Sequence, residues 1–275
     1  MRAARSRCVA LATVVQSLLL ASCGSCASCA SAPTAPIAQP ADAGLLAALR
    51  AAVPLNPIGV GEDPYATWSG RTPPVPPAPT VCGVRFEADH THYRLSTFAS
   101  ATEASEHGDR VTHTGACGAC STLQDLAVYL ERPDLTAPVR RCGMQPGTLE
   151  CLEALGFTHA CAQIWNFNVQ NTKRECFGVC MRSWLSSEAS TKPDGRLNDC
   201  LQCDEDRSGP VFKAVAGRTR RNSGIRSSIP RPDEQVSQVA HDYVLIPPDA
   251  ARSATGDCER RRAHRDDGPP VLPCP

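Results

Sequence analysis

Aromatic residues make up only 5% of this 275-residue chain, and 28 lysines and arginines cancel 28 aspartates and glutamates. A neutral chain has no bulk attraction to nucleic acid, so no nucleic-acid partner is expected. Scarce aromatics remove the side chains that bury the most surface each, which limits the apolar core. The signatures of enzymes are missing too. There is no Gly-x-Ser-x-Gly elbow, no phosphate loop, no His-Glu-x-x-His and no paired-carboxylate frame. The chain therefore leans away from catalysis, and neither a cofactor nor a metal is expected. No internal repeat is visible.

What the chain has instead is proline (24) and cysteine (16). Residues 1–23 read as an export signal. Met1 to Arg7 is basic, and Cys8 to Leu20 is apolar but shorter than the ~20 residues a membrane-spanning helix needs. Leu20-Ala-Ser-Cys23 has the form of a bacterial lipobox, which predicts lipidation of Cys23 and a membrane partner through that anchor. Gly24 rather than Asp at the next position favours the outer membrane. The alternative is an ordinary cleaved signal and a secreted protein. Residues 24–80 are rich in Ala, Pro and Ser and read as a tether, ending in a proline-rich stretch that favours polyproline II. Within it, Leu45, Leu46, Leu49 and Val53 have the spacing of a short helix.

The folded domain is expected over residues 82–243, with a loosely ordered tail at 244–275. Val84, Phe86, Tyr93 and Leu95 alternate with polar residues and predict short strands. Ser100 to Asp109 reads as a polar loop. From His113 onward the signals are helical. Ser121 with Gln124 forms a capping box before Leu123, Leu126, Ala127 and Leu130. Thr148 and Thr158 are further helix starts, and Gly156 is a stop. Cys176 and Cys180 share one helical face, with Trp184 a turn beyond. Ser208-Gly-Pro210 starts a last helix, with its stop expected at Asn222-Ser-Gly224. The predicted fold is mainly α: a small disulfide-rich helical domain with short N-terminal strands, flanked by tether and tail.

The cysteines carry the strongest signal. Cys82, Cys117, Cys120, Cys142, Cys151, Cys161, Cys176, Cys180, Cys200 and Cys203 lie in the expected domain, and Cys258 and Cys274 are expected to close a loop in the tail. At this density an exported chain oxidises them to disulfides, with the connectivity left open. Two sharper readings start from the same residues. Cys117/Cys120 and Cys200/Cys203 have the paired spacing of a structural zinc site. His113-Thr-Gly-Ala-Cys-Gly-Ala-Cys120 could also hold a redox or nucleophilic thiol, because a following helix start lowers thiol pKa values.

Six residues remain as ligand candidates. His113, Gly115 and Gly118 form a glycine-rich turn that could present backbone N–H groups to an anion. Arg218, Arg220 and Arg221 crowd the end of the last helix and could grip an acidic glycan, a lipid headgroup or a protein ligand. Trp165 to Asn171 mixes aromatics and amides as carbohydrate sites do, but its helical spacing assigns Trp165 and Val169 to a core face.

The blocks His113–Cys120, Gly156-Phe-Thr with Cys161-Ala-Gln-Ile-Trp165, Cys200-Leu-Gln-Cys-Asp204 and Gly209 to Ile225 together resemble an uncharacterised cysteine-rich exported family of unicellular eukaryotes and some bacteria. The resemblance implies that these segments form one domain. It supplies no activity, ligand or catalytic residue. The leading expectation is an exported, lipid-anchored, non-enzymatic binding or structural module of the cell envelope.

Overall fold

The computed structural model describes residues 41–68, 79–230 and 232–243. The signal with Cys23, most of the tether, and the tail with Cys258 and Cys274 lie outside the described residues. The chain forms α1 (Ala43–Ala51), β1 (Val53–Pro54), α2 (Pro64–Trp68), β2 (Val81–Phe86), β3 (His92–Phe98), α3 (Ala101–Glu106), β4 (Arg110–Thr114), α4 (Leu123–Glu131), α5 (Thr136–Gly143), α6 (Thr148–Ala154), α7 (His159–Leu185), α8 (Asp199–Arg207) and α9 (Gly209–Ala216). The fold is mainly helical, as the sequence predicts, and its strands form one small four-stranded sheet among the described residues.

The sheet runs β1-β3-β2-β4. β2 is antiparallel to both neighbours, and Val84 opposite Leu95 and Phe86 opposite Tyr93 put alternate side chains on the core face. β4 is a correction. The 100–109 segment contains α3 rather than a loop, and His113 lies in a strand, opposite Cys82. Between Val111 and His113 the register slips, which leaves Thr112 without a partner on β2.

α4 sits at the centre, with Leu123, Leu126, Ala127, Val128 and Leu130 fully buried. Its N-cap is Thr122, whose hydroxyl accepts from Asp125 N, not Ser121; Gln124 reaches across to the Gly156 carbonyl instead of back. α1 packs on α4, and Leu46, Leu49, Ala52 and Tyr65 join the core. The folded region therefore begins upstream of Cys82, inside the stretch expected as tether. Thr158 caps α7 as its sequence predicts, and α7 runs unbroken past Asn171 to Leu185.

Five disulfides cross-link this frame: Cys82–Cys117, Cys120–Cys161, Cys142–Cys151, Cys176–Cys203 and Cys180–Cys200. The last two fasten α8 to α7. α8 buries none of its residues fully, so its attachment is covalent more than hydrophobic. Such a set of bridges belongs to an extracellular or exported protein. No helix among the described residues is long and apolar enough to cross a membrane.

Candidate functional site

The cysteine corner at 113–120 is closed. Gly115 N donates to Thr80 O, Cys117 N to Thr97 Oγ1, and Gly118 N to Ser121 Oγ. Ala119 N and Cys120 N donate to the Val215 and Ala216 carbonyls at the end of α9. These N–H groups are all engaged within the fold, so the turn does not present them as an anion nest. Gly118 and Gly217 interlock here: a Cβ on Gly118 would lie 2.4 Å from Val215 O, and Gly217 has φ +70°.

His113 is fully buried. Its Nδ1 lies 2.9 Å from Thr114 O and its Nε2 2.7 Å from Ser121 Oγ. The carbonyl fixes the proton on Nδ1, so Ser121 donates to Nε2 while accepting from Gly118 N. Burial, helped by the Arg218 charge, holds the imidazole well below its usual pKa and keeps it neutral. Ser121 is equally buried, and neither residue lines either of the two clefts described below, so this pair is a structural clasp rather than a nucleophile and its base. The two thiol readings are corrected. Cys117 and Cys120 are bonded to different partners, Cys82 and Cys161, and Cys200 and Cys203 to Cys180 and Cys176. Zinc would need four free sulfurs together. Among the described residues no cluster of three His, Cys, Asp or Glu side chains has a metal-binding arrangement.

Of the arginines expected to grip an anion, Arg218 and Arg220 donate to carbonyls within the fold. Arg218 is fully buried and its five N–H donors are all used, on Cys120 O, Thr112 O, Ser223 Oγ, Thr112 Oγ1 and Ser121 O. It closes the bulge at Thr112 and leaves no donor for a ligand. Arg220 donates to the Tyr129 and Arg132 carbonyls and stacks 5.5 Å above the Tyr129 ring; desolvation lowers its pKa to about 10. Arg221 approaches Glu205 at 3.8 Å.

The open site lies elsewhere. α7 forms the floor of a cleft of about 450 Å³, with α5 and Met144 on one side, α8 and α9 on the other, and the 219–229 loop at one end. Cys176 and Cys180 turn toward α8. The neighbouring stripe Phe177, Met181 and Trp184 follows at i, i+4 and i+7. Leu197 and Leu201 face it from the α8 side, and Trp165 closes the inner end, its ring 4.6 Å from that of Phe212. Met144, Phe177, Met181 and Leu201 stand in no recognisable binding motif of the sequence. Their signal was available in the 177–181–184 spacing, but alternating cysteines make that stretch read as core.

A polar knot anchors the cleft wall. The Asp204 carboxylate accepts from Asn168 Nδ2 and, at closer range, Thr172 Oγ1; the Tyr65 hydroxyl lies 2.8 Å from Asn168 Oδ1. Burial raises the Asp204 pKa against these stabilising hydrogen bonds. The knot ties α2, α7 and α8 together and leaves Asn168 facing inward rather than toward a sugar.

A second cleft of about 510 Å³ lies between the 54–60 loop and the start of α7. Its walls are Pro, Gly, Ala, Thr and short aliphatics, with His159 and Gln163. It offers neither an aromatic platform nor a carboxylate, lysine or arginine. Behind it, Asp125 is fully buried, receives hydrogen bonds from Thr122 and Thr158, and has its pKa raised by desolvation to about 6.

Among known proteins, a family of unknown function, DUF8771, matches residues 145–239. The match covers α6 to α9 and the loop beyond, so it takes in the floor and one wall of the main cleft. It spans roughly a third of the chain and brings no activity with it. No curated protein and no solved structure matches the chain.

Proposed function

We propose that this chain is an exported, non-enzymatic binding module, held at the outer face of a cell by a lipid on Cys23, and that the α5–α7–α8–α9 cleft is its binding site. One observation carries the reading. Met144, Phe177 and Trp184 are 58%, 62% and 46% exposed, yet they border one cavity instead of being scattered over the surface. Contiguous exposed apolar surface marks an interaction site. The cavity volume falls in the range of small-molecule pockets, roughly 300–1,000 Å³. The frame supports the same conclusion. Two disulfides hold α8 beside α7, so the cleft keeps its shape without a ligand to fill it.

Two experiments separate the parts of this proposal. The uncharged dye N-phenyl-1-naphthylamine should bind the full-length protein saturably, and Phe177→Asp should abolish that binding while leaving the circular dichroism spectrum intact. An unchanged dye isotherm in the variant sinks the cleft assignment. Cys23→Ala should move the protein from the membrane to the soluble fraction; a variant that stays membrane-bound removes the lipid anchor and leaves the cleft untouched.

A further inference from the structure

Eight charged side chains line the main cleft, and six have partners. Lys213 and Arg221 face Glu205, Arg220 is bound to carbonyls, Asp204 lies in its knot, and Glu188 accepts from Ser183. The side chains of Arg140 and Lys173 have no ion pair or hydrogen bond among the described residues. They are adjacent: Lys173 reaches to within 3.9 Å of the Cβ position of Gly143, one helical turn from Arg140 on α5. Two unpaired cations therefore stand together at one position on the rim, and the apolar stripe leads away from them.

We infer that the ligand of this cleft is a single-chain fatty acid, its carboxylate held between Arg140 and Lys173 and its chain lying along α7 toward Trp184. This rests on the cleft being a binding site, as proposed above. Charge complementarity selects the headgroup, because the unsatisfied charge in the walls is cationic. Length selects the chain. From Lys173 to Trp184, α7 rises about 16 Å at 1.5 Å per residue. One acyl chain occupies half of a hydrocarbon core of about 30 Å, or about 15 Å. Phe177 and Met181 lie along that path, with Leu201 opposite. The two methionines, Met144 and Met181, are flexible and polarisable, which suits a chain of variable kinks. A second copy of this chain is disfavoured as the occupant because the floor is recessed between α5 and α8, whereas a protein interface needs roughly 800 Å² of matched surface on each side.

The test uses palmitate, hexadecanol and hexadecyltrimethylammonium, which share a chain and differ in headgroup, titrated below micellar concentration into the full-length protein. Palmitate should bind about tenfold tighter than hexadecanol, and the ammonium compound weakest. Arg140→Glu combined with Lys173→Glu should weaken palmitate about tenfold or more and leave hexadecanol unchanged. Both side chains are exposed, so the variant folds. Palmitate binding no tighter than hexadecanol, or palmitate indifferent to the double variant, overturns the headgroup assignment while the cleft reading stands. Binding of none of the three overturns both. Sedimentation that finds a dimer abolished by Phe177→Asp assigns the cleft to a second copy and also overturns the inference.

Discussion

Replacing Arg218 by methionine should destabilise the protein by about 3–5 kcal/mol, because the guanidinium donates to five buried acceptors at once. It joins four separate segments: the Thr112 bulge in β4, the Cys120–Ser121 corner, the end of α9 and the Ser223 turn. Methionine fills much of the volume but donates nothing, so the carbonyls of Thr112, Cys120 and Ser121 lose this donor inside the fold. Each orphaned buried acceptor costs about 1–3 kcal/mol, and removing a buried cation returns part of its desolvation cost. Arg218→Lys keeps the charge but has three donors in place of five, so its loss should be smaller, about 2 kcal/mol. Urea unfolding of the oxidised protein, followed by tryptophan fluorescence, measures both. At a slope of about 2 kcal/mol/M the midpoint should fall by roughly 2 M for methionine and about 1 M for lysine. A midpoint unchanged in Arg218→Met would refute the reasoning and return Arg218 to the role of a surface ligand.

Gly118→Ala should be still less tolerated, since its methyl group would enter the backbone of α9; failure to secrete folded protein is the expected result, and a wild-type melting temperature would contradict the interlock. Asp125 titrates near 6 in the fold and near 3.8 unfolded, so the folded state keeps a proton that the unfolded state has already released between those values. Stability from this group therefore falls as pH rises from 4 to 7, by about 3 kcal/mol. Asp125→Asn should remove that component, and parallel pH profiles for variant and wild type would exclude it. His241, lowered to about 4 by burial, acts in the opposite sense, its stabilisation being lost as pH falls below 6.5. Removing the Cys180–Cys200 bridge by paired alanines should cost about 2–3 kcal/mol, with hydrogen exchange rising first at the start of α8; uniform exchange would mean that α8 is held by packing after all.

Local signals in the sequence were legible where one residue decides the outcome. Thr158 as a cap, Gly156 as a stop and the shared face of Cys176 and Cys180 follow from rules that act within one helical turn. Strand β4 was not legible, because Arg110-Val-Thr-His-Thr114 is polar and becomes a strand only through pairing with β2. Ser121 and Thr122 are both capping residues; His113 and Gly118 engage the first and leave the cap to the second. The last helix stops at Gly217 rather than near Gly224 because Gly118 packs against its end. α8 escaped notice because it has no buried face, and α5 because Pro138 and two arginines mask it. The cleft is harder still. Its walls come from α5, α7, α8 and α9, which meet through two disulfides between α7 and α8, the Trp165–Phe212 contact between α7 and α9, and the packing of α5 on α7, long-range pairings that sequence alone leaves open.

Methionine methyl NMR tests the cleft most directly. The chain has three methionines, Met1 and the two that line the cleft, Met144 and Met181. Titrating ¹³C-methyl-labelled full-length protein with palmitate should shift the Met144 and Met181 resonances together along one saturable curve, with both shifts lost in Phe177→Asp. Met144 and Met181 resonances that stay in place while palmitate binds would contradict the cleft as the site of function.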